Sequence, residues 1–245
     1  MIDSGDPDTN LCLNCHQGRE STVSVNRLIG DQDADTVSES LRFLNVHYFA
    51  AGATRFGTEA KGAYEYDGKE YVGYFEHTGD ADQCVECHGA HNLEVDVALC
   101  ADCHDDIDIE TVEDLRLIRE YNDDWDGDGD TDEGIAGEID TLRETLYAAL
   151  QDYAANTAGA GIIYEGHSHP YFFIDTNGNG EVDADEVNAD NRYATWTPRL
   201  LRGAYNYQYS SKDPGAFAHN GLYIVQVLQD SIEDLGGDVS GMTRP

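Results

Sequence analysis

Lysine is almost missing from this chain. Only Lys61, Lys69 and Lys212 occur, and 14 Lys+Arg face 49 Asp+Glu, giving a formal charge of -35. Such a field repels phosphate backbones and anionic head groups, which excludes nucleic acid and polybasic membrane docking and leaves cations, metals or basic protein faces as partners. No stretch approaches the roughly 18 consecutive apolar residues of a membrane helix. The longest candidate, Leu222 to Leu228, is interrupted by Gln226, so a soluble protein with no membrane span is expected. Met1 is followed by Ile-Asp-Ser-Gly-Asp-Pro-Asp, with neither the cationic nor the apolar part of a signal peptide, so no leader is expected within the sequence as given. The shortage of lysine and the excess of aspartate over glutamate are unlike the Lys/Glu enrichment of hyperthermophiles. They fit a salt-adapted, halophilic source or an acidic extracellular protein.

What is present is a chain of 245 residues, 40% apolar, long enough for one large or two modest domains around a real core. All six cysteines fall into three copies of one pattern: Cys12-Leu-Asn-Cys15-His16, Cys84-Val-Glu-Cys87-His88 and Cys100-Ala-Asp-Cys103-His104. Cys-Xaa-Xaa-Cys-His is the attachment signature of c-type haem. Two thiols three residues apart share one face of a helical turn and can each add to a haem vinyl group, while the adjacent histidine reaches the iron. A zinc site has no need of histidine at the next position three times over. A redox dithiol would not be triplicated without a βαβ pattern, and disulfides explain neither the spacing nor the histidines. The expected cofactors are three covalent haem c groups, with His16, His88 and His104 as proximal ligands.

These motifs make the chain resemble the multihaem c-type cytochromes. Other stretches carry the likeness further: Cys15-His16-Gln17-Gly18-Arg19, Asn45-Val46-His47-Tyr48, Cys87-His88-Gly89-Ala90-His91 and Asp213-Pro214-Gly215-Ala216-Phe217-Ala218-His219-Asn220. The resemblance is clear over residues 10–105 and weaker over 125–235. It implies a second axial histidine on each electron-carrying iron, and one open iron in catalytic relatives. It also implies export, since haem is attached outside the cytoplasm, and often further haem motifs upstream. Either a signal peptide has been removed or a longer N-terminal part precedes this sequence.

Six histidines remain as distal candidates for three irons. His91 lies three residues past His88, points the same way on a helical turn, and so should serve a neighbouring haem. His47 and His77 occupy the long insert between the first two motifs. His219 precedes Asn220, a plausible N-cap. His169 and, less favoured, His167 lie in Gly-His-Ser-His-Pro, where His169 can also be a plain extended residue before Pro170.

A second chemistry is written in carboxylates. Asp175, Asn177, Asn179, Gly180, Glu181, Asp183 and Glu186 match the twelve-residue calcium loop of an EF-hand, in which side-chain oxygens, one carbonyl and a closing glutamate surround a hard cation. A second acidic stretch offers Asp124, Asp126, Asp128, Asp130, Asp132 and Glu138. Its register is open. Starting at Asp124 puts Gly129 at position 6 but Ile135 at position 12, and starting at Asp126 puts Glu138 one residue late.

The expected fold is mainly α with much irregular structure: a trihaem region over 1–105 with a haem-dominated core, and a helical region over 106–245 with two calcium-type loops packed on it. Tyr64, Tyr66, Tyr71 and Tyr74 alternate around Asp67-Gly68, which predicts a β-hairpin in the insert. Helical periodicity predicts helices near 137–155, 197–209 and 222–235, the last ending at Gly236-Gly237. The many aromatics are expected on porphyrin faces. The favoured function is an exported, extracytoplasmic electron carrier with mainly bis-His haems. Its partners are redox proteins, an extracellular electron acceptor or an upstream haem domain, and in a filament a spare histidine would complete a haem of the next copy. The alternative is a reductase of a small nitrogen or sulfur oxyanion, with one open iron and Arg192, Arg199 and Arg202 holding the anion. A calcium-organised scaffold leaves the haem motifs unexplained.

Overall fold

A computed structural model describes residues 2–79 and 81–245; Met1, where the leader was sought, lies outside them. Three long helices carry the fold: α6 (Ile135–Tyr153), α7 (Pro198–Ser211) and α8 (Ala216–Asp234), preceded by the shorter α1 (Pro7–His16), α2 (Thr22–Ile29), α3 (Ala51–Phe56), α4 (Cys84–Cys87) and α5 (Val97–Ala101). In α6 the repeat Ile139, Leu142, Leu146, Leu150 and Tyr153 forms one buried stripe, which packs mainly on α8. The helix then widens into a π-turn over Ala154–Ala158 and stops at Gly159, whose left-handed φ of 87° an L side chain would resist. The α7 helix starts where Pro198 supplies the first helical φ and the Thr197 hydroxyl accepts from Leu200 N at 3.1 Å.

The α8 helix begins earlier than its periodicity predicts. One turn over 216–219 precedes a kink at Asn220 (φ -174°, ψ 76°), and Asn220 Oδ1 then accepts from Tyr223 N at 3.2 Å, capping the longer segment as the sequence suggests. The far end closes at Gly236, in the left-handed region, with Gly237 N donating to Ile232 O at 2.8 Å. No helix among the described residues is long and apolar enough to cross a membrane.

The predicted hairpin is corrected. Gly68 does turn the chain, with φ 81° and Lys69 N donating to Tyr66 O, but the flanking strands do not pair across it. Their backbone groups are satisfied by side chains of the long helices instead: Tyr64 N donates to Asn206 Oδ1 (2.7 Å) and Val72 N to Gln226 Oε1 (2.9 Å). The hairpin that forms is β1 (Ile162–Tyr164) with β2 (Phe172–Ile174), antiparallel, with Ile163 opposite Phe173. One apolar cluster joins residues from both halves of the chain, including Val25, Ile29, Val46, Ala53 and Tyr64 from the N-terminal part. Tyr205, Tyr209 and Tyr223, expected on porphyrin faces, lie wholly buried among these helices. By contrast, the cysteine-bearing α4 and α5 bury no residue of their own.

Candidate haem site and acidic loops

The first motif ends α1, which starts where Asp6 accepts from Thr9 N at 2.6 Å with Pro7 in the first turn. Against it sits α3, close enough that a Cβ on Gly52 would lie 3.0 Å from His16 O. The second motif is α4, capped reciprocally by Gln83 and Glu86 and joined to α1 by the Thr9 hydroxyl donating to Gln83 Oε1 at 2.6 Å. The third begins on α5, and its last turn closes with His104 N donating to Cys100 O at 3.0 Å.

None of the six cysteines is paired in a disulfide. Burial, then the neighbouring Cys84, raises the Cys12 thiol; burial, then Cys100, raises that of Cys87; and burial, then Asp96, raises that of Cys100. The motifs adjoin in order: Thr9 and Gln83 join the first to the second, and Asp96 N, just before α5, donates to Cys87 O at 2.9 Å to join the second to the third. The sequence places only the second and third beside one another.

Two histidine pairs face each other. His88 and His219 have ring centres 6.3 Å apart, and His77 and His104 also 6.3 Å. A metal–imidazole nitrogen bond of about 2 Å on either side of one ion puts the two ring centres about 6 Å apart. In both pairs a motif histidine faces one from elsewhere in the chain.

The ring nitrogens are ordered to match. Nδ1 of His16 lies 2.8 Å from Phe49 O, that of His77 3.0 Å from Thr78 O, and that of His88 3.3 Å from Leu93 O. Carbonyls only accept, so these rings carry their proton on Nδ1 and leave Nε2 as a lone-pair donor, the arrangement of metal-binding histidines. Nδ1 of His104 approaches Glu120 at 3.2 Å, and that of His219 approaches the buried Asp213 at 2.8 Å. Burial pulls the His219 pKa down, and the Asp213 carboxylate more than offsets it, so the net direction is upward.

The other candidates are placed differently. His47 is half-buried with its ring against Tyr48, whose other neighbour is Arg19 of the first motif region. His91 is exposed on the tight turn between the second and third motifs. His167 and His169 sit exposed on the β1–β2 loop, His169 against Tyr171.

The acidic stretches adopt closely similar loops. In 175–186, Asp175 accepts from Gly178 N and Gly180 N, Asn177 from Asn179 N, Asn179 from Glu181 N, and the closing Glu186 from Thr176 N and Asn177 N. In 124–138, Asp124 accepts from Gly127 N and Gly129 N, Asp126 from Asp128 N, Asp128 from Asp130 N, and Glu138 from Trp125 N and Asp126 N. The second loop therefore starts at Asp124 and closes on Glu138 at position 15. Glu133, outside the expected set, joins Asp126 and Glu138, with ligand oxygens within 4.8 Å of one another. Burial, then the charges of Asp126, Glu138 and Asp128, pushes the Glu133 carboxyl up to about 7.

Among curated proteins the chain matches the C-type polyheme cytochrome OmcB in two strains of Geobacter sulfurreducens, 29% identical over 262 residues, covering 92% of this chain and 30% of the relative. The C-type polyheme cytochrome OmcC of the same species matches with the same identity and shares. Over nearly its whole length the chain is thus similar to c-type polyheme cytochromes, the family its haem motifs resemble. The chain spans 30% of the length of the curated relatives it matches. No family model and no solved structure matches it.

Of the arginines considered for anion binding, Arg199 is held by Asp35 and Asp234, and Arg202 by Asp234 with Tyr64 and Tyr66 on its plane. Arg192 is exposed beside β2, bridged through its backbone to Phe173. The carboxylates and carbonyls that orient the histidines escaped the sequence reading. Of these, only Asp213, in the Asp-Pro-Gly-Ala-Phe-Ala-His run, had a local signal.

Proposed function

We propose that this cytochrome chain carries electrons through three covalent haem c groups, two of them held between the pairs His88/His219 and His104/His77. The observation that carries the reading is the coincidence of two equal imidazole separations with Nδ1 partners that free Nε2. Cys12, Cys15, Cys84, Cys87, Cys100 and Cys103 are the thioether donors, and His16 is the proximal ligand of the first group. His47, His91 and His169 remain the candidates for its distal side. Haem c supplies reversible one-electron iron chemistry when bound. The protein's part would be to fix two nitrogens at each of the two paired haems, so that little reorganises on electron arrival, and to keep successive motifs close.

Paired axial histidines and neutralised Arg199 and Arg202 favour electron carriage over oxyanion reduction. Attachment of haem outside the cytoplasm makes the protein extracytoplasmic, and its acidic surface suits basic redox partners. Residues 175–186 bind calcium, for which the buried Glu186 Oε2, without a hydrogen-bond partner, is an oriented donor.

The test is a haem assay and visible spectroscopy on protein matured in a host that attaches haem c. Three haems per chain are expected, those at the two pairs low-spin and inert to carbon monoxide. Fewer than three haems, or a carbon monoxide stoichiometry above one per chain, would refute it.

A further inference from the structure

We propose that residues 124–138 form a second calcium site, an enlarged loop in which Asp126, Glu133 and Glu138 are the inner carboxylates and Asp124 and Asp128 complete the ligand set. The proposal stands independently of the haem reading. Its loop reproduces that of 175–186 up to the glycine at position 6, and then takes three extra residues before the closing glutamate. Those residues bring Glu133 inward as an additional donor.

Loop shape alone would fit any acidic turn, but the buried side chains demand more. Asp126 is 6% exposed, and its Oδ2 has no hydrogen-bond partner. Glu133 Oε1 is likewise buried and unpartnered, beside the fully buried Glu138. Among the described residues the cation paired with the cluster is Arg119, which donates to Glu138 Oε1 (2.8 Å), to the main-chain oxygen of Glu133 (2.6 Å) and to that of Asp123 (2.5 Å), and not to the Asp126 or Glu133 carboxylates. Removing carboxylate oxygens from water without a donor or a counter-charge is costly. The donors are all oxygen, with neither imidazole nor thiolate, which selects a hard cation. An irregular set of carboxylates at varied depth suits calcium better than the strict octahedron of magnesium.

An ion here would tie three parts of the fold. Glu138 belongs to α6. Gln229 of α8 donates to Trp125 O (2.6 Å) and Thr243 O (2.7 Å), while Thr243 N donates to Asp124 O (2.8 Å), so the C-terminal segment closes over the loop. Next to Arg119, Glu120 meets His104 of the third motif, so the site also steadies a haem-bearing segment.

The experiment is calorimetric titration of chelator-stripped, haem-loaded protein with calcium alone and with magnesium alone. Two calcium ions per chain are expected. Glu186→Gln should leave one, and adding Asp126→Asn should leave none. Glu133→Gln should weaken the remaining site about 10-fold or more, because affinity follows ligand charge count. A Glu186→Gln protein with unchanged helical circular dichroism that binds no calcium up to about 10 mM, beyond the weakest natural sites, would overturn the proposal. Equal affinity for magnesium would do the same. Should Glu186→Gln fail to fold, Glu133→Gln in the parent chain decides, and an unchanged calcium isotherm there rejects the site.

Discussion

Replacing His219 with alanine is expected to let the protein bind one more carbon monoxide per chain than the parent, and to turn one of the three proposed haems high-spin. The proposed pairing puts His219 opposite His88, so its loss opens one iron and leaves Cys84, Cys87 and His88 to hold the macrocycle. The side chain is 26% exposed and ends a short turn before the Asn220 kink, so its removal should leave the α6–α8 core standing. Stability should fall by about 1.5–3 kcal/mol, the range of a lost hydrogen bond to a charged group, because the buried Asp213 loses its partner. Added imidazole should restore the low-spin spectrum, which separates a vacant coordination position from general loosening. Asp213→Asn should keep the iron six-coordinate while lowering imidazole basicity, so the potential of that haem should rise with no gain in carbon monoxide binding. If His219→Ala leaves the spin state and carbon monoxide stoichiometry unchanged, His219 is no ligand and His88 has another partner.

The same variant marks what could be read before folding. His16, His88 and His104 stand out in the sequence because their proposed chemistry is local: two thiols and an imidazole within five residues suit one haem. Helix α6 is equally local, since a leucine stripe at helical spacing has one way to be buried. Asn220 was legible as a cap because capping involves a residue and its next three. The pairing of His77 with His104, or of His88 with His219, depends on where α3, the 62–77 segment and α8 come to rest, and no spacing encodes that. The 124–138 loop failed in the other direction. Its carboxylates were plain, but a twelve-residue template has no place for three inserted residues, and only the hydrogen bonds from Trp125 N and Asp126 N to Glu138 fix where the loop closes. The aromatic alternation of Tyr64 to Tyr74 reported an extended chain correctly and its pairing wrongly, because a backbone needs hydrogen-bond partners and a second strand is only one source of them.

Asn206 is the source the alternation could not reveal, and it is the basis of the second large prediction. Wholly buried on α7, it presents its amide to Tyr64 as a neighbouring strand would: Oδ1 accepts from Tyr64 N at 2.7 Å, and Nδ2 donates to Tyr64 O and Ser231 Oγ, both at 2.9 Å. Alanine at this position strands a main-chain N–H and a carbonyl in the core, each costing about 1–3 kcal/mol unpaired, and leaves a small cavity besides. Asn206→Ala should therefore lose about 3–5 kcal/mol, read as a fall in Tm of roughly 10 °C for a chain of this size. Tyr66→Phe is the matched control, since it removes only the 3.2 Å bond to Ser231 and should cost about 1 kcal/mol. The two variants also separate global from local effects. Residues 62–77 end in His77, the proposed ligand of the third iron, so a segment released from α7 should surrender that ligand before the helices melt. In Asn206→Ala, carbon monoxide binding should then appear at temperatures where the helical circular dichroism is still intact, whereas in Tyr66→Phe it should not. Simultaneous loss of both signals would mean that the segment and the helices unfold as one unit, and that Asn206 stabilises the whole fold without selectively positioning His77.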